Sequence, residues 1–209
     1  MAMSITIDAA NTLVGADVDT LVKPYLYIDD SDTDLDEQLK LWINAASWWI
    51  STETGKGSSS RRQLLAADLV ETYSGCGDNM LIPRNYPINS TAAAIDIRDD
   101  LAGEFASTTK LSSDLIRIAN NKTRIELYGS TFTEGVENVQ LTYNAGYTTI
   151  PWDLQEACLE LISMIKDEVN EKRRGLTQRQ TPDGSTVFVP TRVPKYTQGI
   201  IDQYQRKTL

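Results

Sequence analysis

Residues 138–153, NVQLTYNAGYTTIPWD, constrain the fold of this chain more than any other stretch. Val139, Leu141 and Tyr143 alternate at the period of a strand with one buried face. Gly146 follows, a residue type that turns the chain through positive φ without steric cost. Pro151 suits the first turn of a helix, where its missing N–H is not needed, and Asp153 and Glu156 sit at the positive end of the helix dipole. A strand must therefore hand over within a few residues to a helix. That helix spans 152–174 and is striped by Leu154, Cys158, Leu161, Ile165 and Val169. Lys172, Arg173 and Arg174 suit its negative end, and Gly175 its closing turn.

A second long helix is expected over 33–54. Leu35, Leu39, Trp42, Ile43, Ala46, Trp49 and Ile50 recur there at three and four, with Asp32 or Thr33 as the cap. A shorter helix fits 17–27, ended or interrupted near Pro24. Between the long helices, 61–147 reads as strand-rich. Residues 64–73 suit helix or strand, 80–82 form a short strand, and 91–98 end in the alternation Ile95, Ile97. Residues 115–119 and 124–128 flank Asn120-Asn121 as a hairpin, with Ile116 and Ile118 across from Ile125 and Leu127. Short strands with local turns imply an antiparallel sheet. The expected fold is α+β: two long amphipathic helices, a small central antiparallel sheet and hairpin region, and an extended C-terminal arm. Residues 1–175 form the core domain. Residues 176–209 form the arm, which carries a possible hairpin around Thr181-Pro-Asp-Gly184 and a short terminal helix at 198–205.

Composition narrows the function. The chain of 209 residues has no histidine, which removes the commonest general base, triad partner and transition-metal ligand. No apolar run approaches the length of a membrane span, and the N-terminus lacks the basic and apolar regions of a signal peptide. The two cysteines, Cys76 and Cys158, suggest no disulfide framework and fit a reducing, cytoplasmic site of synthesis. The net charge of −9 is uneven: residues 1–60 carry −7 and residues 160–209 carry +3. Such polarity suits head-to-tail association between copies, and it equally suits unrelated solvated surfaces.

No motif carries chemistry. Asp30, Asp32 and Asp34 begin like a calcium loop, but Leu35 stands where glycine is needed and Leu41 where a bidentate glutamate is needed. The Gly55-Lys56-Gly57-Ser58 stretch lacks the remainder of a phosphate loop, and Gly75-Cys76-Gly77 is a turn without a nucleotide fingerprint. Asp96, Asp99 and Asp100 lie near a strand end, yet no acid–base pair can be assigned among them. No cofactor or metal is expected, and the chain reads as a non-enzyme. The basic cluster at 172–174, with Arg179 and Arg192, reads first as helix-end complementarity and a solvated face, and second as phosphate contacts. Trp42 and Trp49 share the apolar face of their helix, while Trp48 points away from it.

Several segments taken in order resemble the head–tail connector (adaptor) proteins of tailed bacteriophages. Residues 35–56, LDEQLKLWINAASWWISTETGK, look like that family's first long helix. Residues 70–94, VETYSGCGDNMLIPRNYPINSTAAA, are similar to its strand, glycine turn and "YPI-S" sequence, with Cys76 where a polar residue is expected. Residues 120–147 resemble its hairpin and following strand, ending in TYNAGY.

The resemblance implies a structural virion protein made in the bacterial cytoplasm and located at the neck. There, a ring of twelve copies would sit under the portal protein. It would extend the channel through which genomic DNA passes without specific binding, and it would dock the next neck or tail protein. A tail-completion or stopper protein of the same neck is the nearest alternative, and a DNA-binding accessory protein a distant one. Subunit or portal contacts are expected at Trp48, Arg173, Arg174, Arg179, Phe188, Arg192, Tyr196 and Tyr204.

Overall fold

The computed structural model describes residues 4–15, 17–56, 61–170, 178–181, 184–187 and 193–205. The fold is α+β. Its contacts separate two compact units, a helical one (residues 1–61 and 150–209) and a β unit (residues 62–149). This division runs along different lines from the 1–175 and 176–209 boundaries, because α4 (Lys195–Tyr204) packs on the helices that precede it.

The helical unit is built on α2 (Asp36–Thr54) and α3 (Trp152–Asn170), which pack together, with α4 touching both. Leu39, Trp42, Ile43, Ala46 and Ile50 of α2 are buried, as are Leu154, Ala157, Cys158, Leu161 and Ile162 of α3. Ile165 and Val169 are only half-buried. Serines and a threonine on α2 are also enclosed: the Leu13 N–H donates to Ser47 Oγ at 3.2 Å, and the Thr54 hydroxyl donates back to Ile50 O at 2.9 Å. The helix begins later than the expected residue 33, and neither Asp32 nor Thr33 caps it through a side chain. Leu35 holds the cap position, and Asp32 Oδ1 instead accepts from the Asp34 N–H at 3.1 Å in its own turn.

The short α1 (Val22–Tyr25) carries Lys23, whose side chain is fully buried. An enclosed ammonium is costly unless partnered. Here Nζ lies 2.7 Å from Asp19 Oδ1 and 2.8 Å from Asp36 Oδ1, and it donates to Asp30 O at 3.2 Å. Hydrogen bonds donated to Asp19 and then to Asp36 hold its pKa above the usual lysine value, against the pull of burial. Lys23 thus ties Asp19, the Asp30 carbonyl and Asp36 to one another. Lys166 Nζ donates to Leu26 O at 3.2 Å, fastening the end of α1 to α3.

In the β unit, β1 (Ala67–Gly75) and β3 (Asp96–Asp99) flank β6 (Gly135–Ala145), antiparallel on both sides. A second sheet orders β2 (Met80–Leu81), β5 (Ile125–Leu127) and β4 (Ile116–Ile118). The expected hairpin forms, pairing Ile116 with Leu127 and Ile118 with Ile125. Its left-handed residue is Lys122 (φ 55°), not Asn120 or Asn121. Val139, Leu141 and Tyr143 meet Ile97, Ile116, Ile125 and Leu127 in one core. Residues 64–73, open between helix and strand, supply most of β1. β7 (Gln178–Thr181) and β8 (Gly184–Val187) form a two-stranded antiparallel ladder.

Gly146, at φ +110°, ends β6 where the chain crowds itself: a Cβ there would lie 2.7 Å from the carbonyl carbon and oxygen of Leu65. The neighbouring Tyr147 exchanges backbone bonds with Leu64 O (2.7 Å) and the Ala66 N–H (3.0 Å), so the ends of the β unit are tied to each other.

Candidate functional site

Of the expected contact residues, Trp48 stands 59% exposed on α2, with the Arg61 guanidinium 4.0 Å from its ring centroid. Leu41, one heptad earlier, is also exposed, so this face of α2 is apolar and uncovered among the described residues. Tyr196 is exposed, and its hydroxyl donates to Glu156 Oε2 at 3.1 Å. The Tyr204 hydroxyl lies 2.8 Å from both oxygens of Asp153, and the Thr197 hydroxyl bonds Glu160. Asp153, Glu156 and Glu160 share one face of α3, so α4 is fastened by hydroxyl–carboxylate bonds as well as by buried Ile200 and Ile201. Arg179 belongs to β7, whose backbone alone is described. Arg173, Arg174, Phe188 and Arg192 lie outside the described residues.

Two polar clusters went unread in the sequence. The first joins β1 to the segment before β3. The Tyr143 hydroxyl donates to Glu71 Oε2 at 2.6 Å, the Tyr73 hydroxyl bonds the same oxygen, and Asn85 Nδ2 donates to Glu71 Oε1 at 2.8 Å. The Arg84 N–H donates to the Tyr73 hydroxyl at 2.8 Å, and the Gln63 N–H to Asn85 Oδ1 at 2.6 Å. Burial, followed by nearby negative charge, pushes both phenols well above their ordinary pKa. Beside them, buried Arg62 stacks 3.6 Å from the Tyr86 ring centroid and donates to Tyr86 O at 2.6 Å, next to the cis Tyr86–Pro87 bond. The bonds named here run between segments of the β unit. It braces the "YPI-S" segment.

The second cluster shapes one end of the β unit. Tyr73 pairs with Val139 and Gly75 with Gly135, so Ser74 alone opposes Val136, Glu137 and Asn138. This is a bulge with two surplus residues. Glu137 takes φ 51°, a left-handed conformation that strains a residue with a Cβ. Asn138 is buried and holds the bulge from within. Its Oδ1 accepts from the Gly75 N–H at 2.8 Å, and its Nδ2 donates to Thr133 O at 2.8 Å and Asp99 Oδ1 at 3.1 Å. Asp99 Oδ2 accepts from the Thr133 N–H at 2.6 Å. Asp100 accepts from the Ala102 N–H at 2.8 Å and from the Thr108 hydroxyl, and these two bonds lower its pKa. Asp96 pairs with Arg98 at 3.1 Å. Asp99 and Asp100 are therefore occupied in holding loops, and Asp96 pairs along its own strand.

The outcome of that architecture is an apolar tip. Val136 is 85% exposed and Leu101 68% exposed, and Leu101 Cδ2 lies 3.0 Å from where a Gly135 Cβ would be. Glu104, Glu134 and Glu137, on the same two segments, are exposed. Among the described residues no group of histidine, cysteine or carboxylate side chains could hold a metal ion, and no helix is long and apolar enough to cross a membrane.

No family model and no curated protein matches the sequence. Solved structures do match the fold. A chain from the neck of the native gene transfer agent (GTA) particle, computed with C12 symmetry, aligns with a TM-score of 0.57 at 16% identity, covering 100% of this chain and 97% of that one. A chain from the neck of the empty GTA particle, computed with C6 symmetry, aligns at 0.56 and 17% identity with the same coverage. The resemblance to head–tail connectors thus has a structural counterpart over the whole length, and the fold is that seen in the neck of these particles.

Proposed function

We propose that the chain is a structural neck protein of a tailed-phage-like particle. In this reading it is the head–tail adaptor, twelve copies forming a ring under the portal that lengthens the DNA channel and docks the next neck or tail protein. The observation that carries the reading is the full-length fold match to neck chains of particles solved with twelvefold and sixfold symmetry. The order of sequence segments that resembles connector proteins points the same way. The two long helices, amphipathic in sequence, would form the rigid part of each subunit.

The division into a core of 1–175 and an arm of 176–209 remains part of the proposal, with the arm reaching a neighbouring copy or the portal. Trp48 on its exposed helix face, Tyr196, Tyr204 and the arm residues Arg173, Arg174, Arg179, Phe188 and Arg192 are its proposed contacts. A ring with different faces meeting at each junction closes by rotation. An acidic chain, with a net charge of −9, would line a passage that lets DNA slide without retention. The protein needs no cofactor and performs no catalysis in this role.

Cryo-electron microscopy of portal-bearing capsids mixed with the purified protein tests the reading. A ring of this protein directly beneath the portal is expected. A ring found only further down the neck would favour the tail-completion alternative, and no ring at all would sink both.

A further inference from the structure

Resting on the ring reading, we propose that the bulged tip of the β unit is the receptor for the basic segment 171–192 of the adjacent copy. The tip is built at a cost. A non-glycine residue is held at positive φ, and a buried asparagine uses three hydrogen bonds to keep two surplus residues in the strand. Within that bulge Val136 is raised into solvent, and exposed Leu101 lies against the neighbouring Gly135.

Charge identifies the occupant. Residues 99–109 and 129–141 together contain five carboxylates and no lysine or arginine. No described lysine or arginine forms an ion pair with Glu104, Glu134 or Glu137. Residues 171–192 have the opposite character, with five basic side chains against two acidic and the apolar run Val187-Phe188-Val189. An apolar centre with an acidic rim on one copy meets an apolar run flanked by arginines on the next. Because tip and segment are different surfaces, the contact is head-to-tail and can close a ring.

Two reversal variants test this in the full chain. The first is E104K/E134K/E137K at the tip, and the second is R173E/R174E/R179E/R192E in the segment. Self-association is read by sedimentation velocity, and binding of a labelled peptide of residues 171–192 by fluorescence anisotropy.

The expected results are that wild-type association and peptide binding weaken as salt rises, and that each variant alone associates at least about tenfold more weakly. Mixing the two variants restores association, since each then offers what the other lacks. Variant tips that associate like wild type, a wild-type chain that neither associates nor binds the peptide, or a mixture without rescue (as docking within one copy would give) each overturn the proposal. If the tip-reversed protein still forms rings at the portal, the neck reading stands and this surface is not its contact. If tip and segment associate as described but no ring appears at the portal, the interaction stands and the neck reading falls.

Discussion

Side chains fill the helical unit, whereas in the β unit backbone meets backbone. Glycines make the contrast visible. Gly15 and Gly199 of the helical unit have open space where a Cβ would go. In the β unit Gly77, Gly103 and Gly129 have open space as well, but where β1 and β6 meet their neighbours a Cβ on Gly75 would lie 1.8 Å from Thr133 O, on Gly135 2.9 Å from Asn138 Cγ, and on Gly146 2.7 Å from the Leu65 carbonyl. The helical unit is a packing of interchangeable apolar volumes around α2 and α3. Its polar ties, such as buried Lys23 with Asp19 and Asp36 and the hydroxyl bonds of α4, join its helices and loops to one another. The β unit is held by specific polar and backbone contacts, with Glu71 and Asn138 each fixing several strands at once. The close approaches at Gly75, Gly135 and Gly146 are where the β unit leaves least room for a change of backbone path.

The cysteines offer the widest test of this contrast, one in each unit. Cys158 is fully buried, 3.7 Å from Ser47 Oγ, and burial pushes its thiol up to about 12. Cys76 is exposed on the turn after β1. At pH 8 a thiol reagent should label Cys76 at least about a thousandfold faster, because Cys158 must await opening of the α2–α3 core. Comparable rates would mean that the helical core is loose.

Alanine substitutions should separate the units by sign. Gly75→Ala should lower unfolding free energy by about 3 kcal/mol or more in urea titrations, because backbone must move to admit the methyl group. Gly199→Ala, in α4 with open space, should raise it by up to about 1 kcal/mol. Equal effects would dissolve the comparison.

The smallest effect belongs to Lys23. Its pKa is raised on folding, so its stabilising contribution is complete below its ordinary value of 10.5 and is lost as pH rises through the higher folded value. The stability gap between wild type and Lys23→Met should therefore be flat from neutral pH to about 10 and shrink above it. A gap that stays constant in that alkaline range would show that the charge is not what the pocket holds.

Local pattern explains which features were legible. Val139, Leu141 and Tyr143 advertise a strand because their period is set by burial on one face, and Gly146 and Pro151 announce the turn through backbone restrictions of their own. The hairpin was legible because its partners are close in sequence. Residues 64–73 stayed ambiguous because their strand state depends on β6, which no local window contains. The bulge had no signal beyond a glycine at 135, since it arises from mismatch between two distant strands. Burial of Lys23 had no local signal, since its partners Asp19 and Asp36 come together only in the fold. The asparagines at 120–121 were the natural left-handed candidates, yet the chain makes its left-handed residue Lys122.

The pairing of β1 with β6 also has a consequence in time. Its partners lie 60 to 78 positions apart along the chain, from Gly75 with Gly135 to Ala67 with Ala145. At a translation rate of about 5–20 residues per second, the first strand waits roughly 3 to 15 seconds for the central one. During that interval Leu69, Val70 and Tyr73 form an unpaired strand in the nascent chain. Synthesis therefore passes through a sticky interval before the sheet can close, and slowing the ribosome between codons 75 and 135 should lower the soluble yield.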